Sequence, residues 1–213
     1  VAHRTYLLAT RNSHKAREIS DLLGDLDLEV ISLPEAGVPV LPGEDAVEVF
    51  DSFEENALAK ARFYRRHIGQ PLIADDSGLC VDALDGAPGV RSRRLAADHG
   101  MAGLDEDSAN NECLLRLLEG LPEPERRAHY RCALVLLEAD RTLVLTGRLD
   151  GRIALRPRGH EGFGYDPLFF VPEYGRTVGE LPPETKASIS HRAAAVLSLR
   201  RWLQAGPFEK ESR

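Results

Sequence analysis

Cysteine is scarce in this chain and odd in number, with Cys80, Cys113 and Cys132 as the only three. They show neither a C-x-x-C spacing nor the even count of a disulfide framework, so the expectation is buried, reduced thiols in a cytoplasmic protein rather than redox or metal chemistry. Long apolar runs are missing as well. No stretch approaches the roughly 20 residues of a membrane span, and Val1 to Thr10 lacks the apolar core of a signal peptide, so no membrane partner is expected. Nor is there an excess of positive charge. The formal net charge is -7, which argues against a nucleic-acid polymer as the main partner, because such proteins need a basic surface to release counterions. A small polyanion stays open wherever local cations or a metal override the global sign. Internal repeats, low-complexity tracts and linkers between autonomous domains are also absent. With 213 residues, 43% of them hydrophobic, the chain can bury a sizeable core as one domain or as two lobes sharing a sheet. Residues 206–213 read as a polar tail.

The stretch Ile73-Ala74-Asp75-Asp76-Ser77-Gly78-Leu79 organises the rest: an apolar strand runs into two adjacent carboxylates and then a glycine turn. Successive strand residues face opposite ways, so one aspartate is the working group and the other a support. Two neighbouring acids are costly unless backbone N–H groups, a lysine or arginine, or a divalent cation compensates them, which suggests a hard-metal site. An Asx-type turn before Gly78 is the alternative. Earlier, Tyr6 to Ala9 reads as a strand, Thr10 to Lys15 as a polar loop, and Ala16, Ile19, Leu22 and Leu23 as one helix face closed by Gly24. That order aims helix N–H groups at the loop and makes an anion site without a glycine-rich fingerprint, with Lys15 as a point charge. The alternative is that Thr10 or Ser13 merely caps the helix.

Leu28 to Ile31 predicts a second strand. The Pro- and Gly-rich loop after it carries Glu44, Asp45, Glu48 and Asp51, either as a further metal carboxylate or as a solvated acidic loop. Phe53, Ala57, Leu58, Ala61 and Tyr64 form a helix face running to about His67. Leu79 to Leu84 predicts a strand, and Arg91, Arg93 and Arg94 a cationic cluster, for phosphate or for solvent. Ser108 opens a helix closed by Gly120. Ala128 to Glu138 and Thr142 to Arg148 form a hairpin, so the sheet is mixed. In Gly162-Phe163-Gly164-Tyr165-Asp166-Pro167 the glycines set two rings and a carboxylate on a loop, as a stacking platform or as plugs at the core edge. His191 and Arg192 begin the last helix. Cations there oppose its dipole, which points to an anionic or carbonyl-rich ligand.

Five pieces in this order, Ala9 to Lys15, Phe53-Glu54-Glu55-Asn56-Ala57, Ala74 to Leu79, Phe163-Gly164-Tyr165-Asp166-Pro167 and Lys186-Ala187-Ser188-Ile189-Ser190-His191-Arg192, resemble the Ham1/inosine triphosphatase family, and the likeness covers almost the whole chain. The resemblance implies an α/β fold, an elongated mixed sheet flanked by helices, with two lobes and a central cleft, and usually a homodimer. It also implies a Mg²⁺-dependent enzyme that converts purine nucleoside triphosphates such as dITP, ITP and XTP to the monophosphate and pyrophosphate. Carried over by position, Thr10, Arg11, Asn12, Ser13, His14 and Lys15 resemble the phosphate-binding loop, and Asp76 the catalytic base and metal ligand. Ser77 resembles a substrate contact, Phe163, Gly164, Tyr165 and Asp166 the base-binding loop, and Lys186, His191 and Arg192 the remaining substrate contacts. Glu48 falls where the family has a second metal carboxylate. Val49 and Phe50, however, replace the threonine and glycine usual after it, and Glu44 stays open as a substitute. The arginine-rich Arg91-Ser92-Arg93-Arg94 is a second departure. Donors from Arg192, His191 or backbone N–H groups would suit the oxygen at purine position 6 and meet a donor in adenine. The rival readings are a nucleotide sensor without catalysis and a Maf-like pyrophosphatase for other modified nucleotides.

Overall fold

The computed structural model describes residues 4–101 and 105–205; the polar tail assigned to 206–213 lies outside the described residues. Seven strands form one mixed sheet in the order β2-β1-β3-β4-β5-β6-β7. In chain order they are β1 (Arg4–Leu8), β2 (Leu28–Ser32), β3 (Leu72–Val81), β4 (Arg127–Leu137), β5 (Thr142–Ile153), β6 (Phe169–Val171) and β7 (Arg176–Thr177). The helices are α1 (Ser13–Leu23), α2 (Phe53–Ile68), α3 (Leu95–Asp98), α4 (Glu106–Leu117), α5 (Pro183–Ile189) and α6 (His191–Ala205). β1 pairs in parallel with β2 and β3, whereas β6 pairs antiparallel with β5 and β7. The sheet and its helices are those expected of the mixed α/β class.

The chain divides into two compact units. Among the described residues, one draws on 4–76, 132–147 and 191–205 and the other on 77–101, 105–131 and 148–190. The core of the first unit includes Tyr6, Leu8, Ile19, Leu23, Ile73, Cys132 and Leu199, and that of the second Leu79, Leu95, Leu114, Tyr130, Phe169 and Val178. All three cysteines are free and buried. Burial pushes the Cys132 thiol up to about 12, which keeps it protonated and inert.

In the first unit, parallel pairing sets Leu7 beside Leu72 and Leu8 beside Ile73, and the Ala9 N–H donates to Ile73 O at 2.8 Å. Parallel neighbours run the same way, so Thr10–Lys15 and Asp75–Asp76 both follow the paired segment in the same direction, where ligands of parallel sheets gather. Gly147 lets β5 approach α6 closely: a Cβ there would meet His191 O at 2.0 Å and Ala195 N at 2.6 Å. Its missing side chain therefore helps to place the first turn of α6.

Three local expectations differ from the structure. β3 does not break at Gly78 but runs unbroken to Val81, because Leu79 and Val81 are core residues and the Leu79 N–H donates to Ser92 Oγ at 2.8 Å. The strand expected to reach Leu84 instead ends in a 3-10 turn, Asp82–Leu84. The cap of α1 is neither Thr10 nor Ser13. Asn12, in extended conformation, accepts from His14 N at 2.9 Å and Lys15 N at 3.1 Å, while Thr10 Oγ1 accepts from Asn12 N at 3.1 Å.

Candidate functional site

In the first unit the two aspartates occupy different environments. Asp75 is fully buried. One of its carboxylate oxygens lies 3.0 Å from Lys15 Nζ and 3.7 Å from Arg192 Nε, and its backbone oxygen accepts from Lys60 Nζ at 2.7 Å. Burial pushes this carboxyl up, but Lys15, Lys60 and Arg192 together outweigh it and hold Asp75 below the ordinary carboxylate range. Asp76 goes the other way. Burial, with Glu48 and Asp75 adding repulsion, prevails over the pull of Lys15 and Lys60 and raises it to about 6.

Lys60 carries no motif of its own, and its place here was not anticipated from the sequence. It lies four residues after Asn56 on the inward face of α2, where it pairs with Glu48 and bonds Asp75 O. A lysine on the buried face of an amphipathic helix was the one available signal. Asn56 is itself buried, and its amide bonds both backbone groups of Phe50, accepting from N at 2.9 Å and donating to O at 3.1 Å. The backbone of the Glu48 loop is thus fixed by Asn56 and not by the side chains of Val49 and Phe50, which stand 69% and 43% exposed. This is how the loop accommodates two bulky residues in place of threonine and glycine.

Glu44, the substitute metal carboxylate, is otherwise engaged. Arg11 NH2 bonds its Oε2 at 2.9 Å and Leu41 N donates to the same oxygen at 3.1 Å; the Arg11 bond leads in lowering Glu44 to about 2. Arg11 also donates to Val38 O at 3.0 Å and Pro39 O at 2.7 Å, so its guanidinium secures the loop before α2. Arg192, assigned above to base recognition, is buried and donates to Glu18 Oε2 at 2.7 Å. His191 is buried beside it at the start of α6.

Among the described residues no three His, Cys, Asp or Glu side chains cluster as a metal cage. Mg²⁺ does not require one, because it is commonly held by one or two carboxylates together with phosphate oxygens and waters. Glu48 and Asp75 add to the cost of ionising Asp76, and a hard cation at such a carboxyl relieves that repulsion. The donor set therefore fits Mg²⁺.

The second unit holds the other residues. Asp166 is buried and accepts from Lys186 Nζ at 2.7 Å, Phe163 N at 2.9 Å and Tyr130 Oη at 3.1 Å. The Lys186 ammonium also sits 4.5 Å from the Phe163 ring centroid, within cation–π range. A Cβ at Gly162, where φ is +81°, would fall 2.1 Å from Asp166 Oδ2, so only glycine fits this turn. The two rings of the loop part company. Tyr165 is a buried core residue whose hydroxyl donates to Ser92 O at 2.7 Å, whereas Phe163 is partly exposed. Ser77, partly exposed, follows Asp76 along β3. Arg91 and Arg93 pair with Asp98 and Glu106, in keeping with the solvated reading of that cluster.

Comparison with known proteins follows the same lines. The Ham1 family model matches residues 6–202. A dITP/XTP pyrophosphatase of Thermoanaerobacter is 41% identical over 197 residues, covering 92% of this chain and 95% of the relative. One from Geobacillus kaustophilus is 46% identical over 195 residues, 91% of each chain. Among solved structures, a HAM1 protein from Coxiella burnetii superposes with a TM-score of 0.82 at 38% identity, covering 95% of this chain and all of that one.

Proposed function

The chain belongs to the Ham1 family, and on that premise we propose that it is a hydrolase, a nucleoside triphosphate pyrophosphatase that clears the deaminated purine nucleotides dITP, ITP and XTP. The observation that carries this reading is Asp76, a buried carboxyl pushed up to about 6 between Lys15 and Lys60 on one hand and Glu48 and Asp75 on the other. A carboxyl whose ionised form burial and two neighbouring acids hold at a cost is suited to taking up a hard cation and to aligning a water for attack. Phosphoryl transfer asks a protein mainly for alignment and charge neutralisation, and the residues of the first unit divide those tasks.

In this proposal Thr10 to Lys15 and the N-terminus of α1 receive the triphosphate, with Lys15 as the point charge. Asp76 and Glu48 are the residues that would hold Mg²⁺, which when bound polarises the phosphate under attack and offsets its charge. Asp76 aligns the attacking water and accepts its proton. Lys60 braces Glu48, and Asp75 holds Lys15 and Arg192 in place. Arg192, with Glu18 and Asp75 already on its guanidinium, acts through Asp75 rather than on the base, and His191 and Ser77 remain substrate contacts. In the second unit Phe163 offers its face to the purine, while Lys186, Asp166 and Gly164 support it; Tyr165 contributes only by anchoring the loop. Attack at the α-phosphorus, with pyrophosphate leaving, follows the family likeness. On the same likeness we propose a homodimer, and on its free, buried cysteines a place in the cytoplasm; among the described residues no helix is long and apolar enough to cross a membrane.

A panel of ITP, dITP, XTP, GTP and ATP, assayed separately for pyrophosphate and orthophosphate and repeated in EDTA, tests the proposal. The expected result is pyrophosphate from the first three, ATP turned over at least about 10²-fold less efficiently, and no turnover in chelator. Orthophosphate as the product, or full activity in EDTA, overturns it.

A further inference from the structure

We infer that Asp107 and Asn111 of α4 are positioning residues that fix the Phe163 platform and so help set selectivity for the base; the inference rests on Phe163 carrying the purine as proposed above. Phe163 lies between two glycines in the left-handed region, Gly162 at φ +81° and Gly164 at φ +62°. Such a segment has more conformational freedom than any other the chain could use, and a ring mounted on it is well placed only if its backbone is tied down.

On one side the tie is Asp166, which accepts from Phe163 N at 2.9 Å and whose own N–H returns a bond to Phe163 O at 3.3 Å. On the other side both polar backbone groups of Gly164 are taken by a single helix. Asp107 Oδ2 accepts from Gly164 N at 2.7 Å, and Asn111 Nδ2 donates to Gly164 O at 2.8 Å. The two side chains are four residues apart and therefore share one face of α4. The helix itself is fixed, because the neighbouring Asn110 is buried, accepting from Ala96 N at 2.8 Å and donating to Arg93 O at 3.0 Å.

The orientation of the Asn111 amide shows what is being held. A carbonyl accepts only from a donor, so Nδ2 must face Gly164, and Oδ1 is left buried with no hydrogen-bond partner among the described residues. Leaving an acceptor in that state opposes folding. The cost is borne at a residue whose donor end secures the glycine next to the platform.

Kinetics on ITP and ATP with the wild type, Asp107→Ala, Asp107→Asn and Asn111→Asp, alongside thermal melts and hydrogen exchange at the Gly164 amide, decide the matter. Asp107→Ala removes the acceptor for Gly164 N, and Asn111→Asp replaces the donor to Gly164 O with a repelling carboxylate. Each is expected to raise KM for ITP about fivefold to tenfold with kcat within about twofold, the pattern of lost ground-state positioning, and to narrow the ratio of kcat/KM between ITP and ATP. Asp107→Asn keeps an acceptor and recovers most of the KM and the slow exchange of Gly164. Unchanged KM in Asp107→Ala and Asn111→Asp, equal losses on ITP and ATP, or an Asp107→Asn enzyme as impaired as Asp107→Ala would each overturn the inference. A wild type that fails to prefer ITP over ATP removes the base reading beneath it; a selective wild type with unaffected variants removes the clamp alone.

Discussion

Asparagine at position 76 lowers turnover by about 10²- to 10⁴-fold, the range for loss of a positioned general base, and yet leaves the metal-free protein more stable than the wild type at neutral pH. Both effects have one cause. The Asp76 carboxyl rises from its ordinary 3.8 to about 6 on folding, so between roughly pH 4 and pH 6 the folded chain binds more protons than the unfolded one, and stability falls as pH rises through that window. Below about pH 4 both states are protonated and the penalty vanishes. Above about pH 6 it is complete, on the order of 2–3 kcal/mol from the shift. Asparagine carries none of it. Urea denaturation in EDTA at pH 7.5 should therefore favour Asp76→Asn by that amount, with the gap closing towards pH 4. Added Mg²⁺ should narrow the gap at pH 7.5 by stabilising the wild type. A variant that is no more stable than wild type in EDTA would remove the strained carboxyl from the mechanism, and one that still turns over would remove Asp76 from the role of base.

That strain was only partly legible in the sequence. Strand alternation already divides Asp75 and Asp76 into a worker and a support, and hydrophobic periodicity locates β1, α1, β2, α2 and β4 to within a few residues, because each carries its own apolar face; β5 begins at Thr142 as expected but runs on to Ile153 rather than ending at Arg148. What periodicity cannot register is pairing between side chains distant in sequence. Lys60 looked like one more polar residue on an amphipathic helix until the fold set it against Glu48 and Asp75. Glu44 and Glu48 were equivalent to periodicity as acidic loop residues; the fold sets Arg11 beside the former and Lys60 beside the latter. Tyr165 and Phe163 share one glycine-rich loop, and only the fold shows that the Tyr165 ring packs into the core, its hydroxyl satisfied by Ser92 O, while Phe163 stays partly exposed. Short elements such as β6, β7 and α5 escaped for another reason: segments of two to seven residues are too brief for either period to show.

Asp75→Asn, one position away from the first substitution, is expected to destabilise the protein by about 3–5 kcal/mol at pH 7, the cost of removing one partner from a buried charge cluster. Asp75 is fully buried, and it is the carboxylate that answers Lys15 at 3.0 Å and Arg192 at 3.7 Å, whose side chains are only 16% and 6% exposed. Arg192 retains Glu18, and Lys60 retains Glu48 and the Asp75 backbone oxygen, so Lys15 loses most. An amide cannot supply the missing charge, and water reaches the site too poorly to replace it. The pH dependence runs opposite to that of Asp76. With its carboxyl held below the ordinary value, Asp75 stabilises the fold fully above the unfolded value near pH 4, and that contribution is lost as pH falls through the folded value. Urea titrations at pH 7 should show the large deficit, changing little between low and high salt because buried pairs are weakly screened. A double-mutant cycle with Lys15→Met isolates the pair: once the lysine charge is gone, Asp75→Asn should cost distinctly less, a coupling on the order of 1–3 kcal/mol. Turnover in Asp75→Asn should fall as well, through a displaced Lys15, but by less than in Asp76→Asn. If Asp75→Asn proves as stable as wild type, or if the two substitutions add without coupling, Asp75 does not hold the lysine, and the division of labour between the adjacent aspartates is wrong.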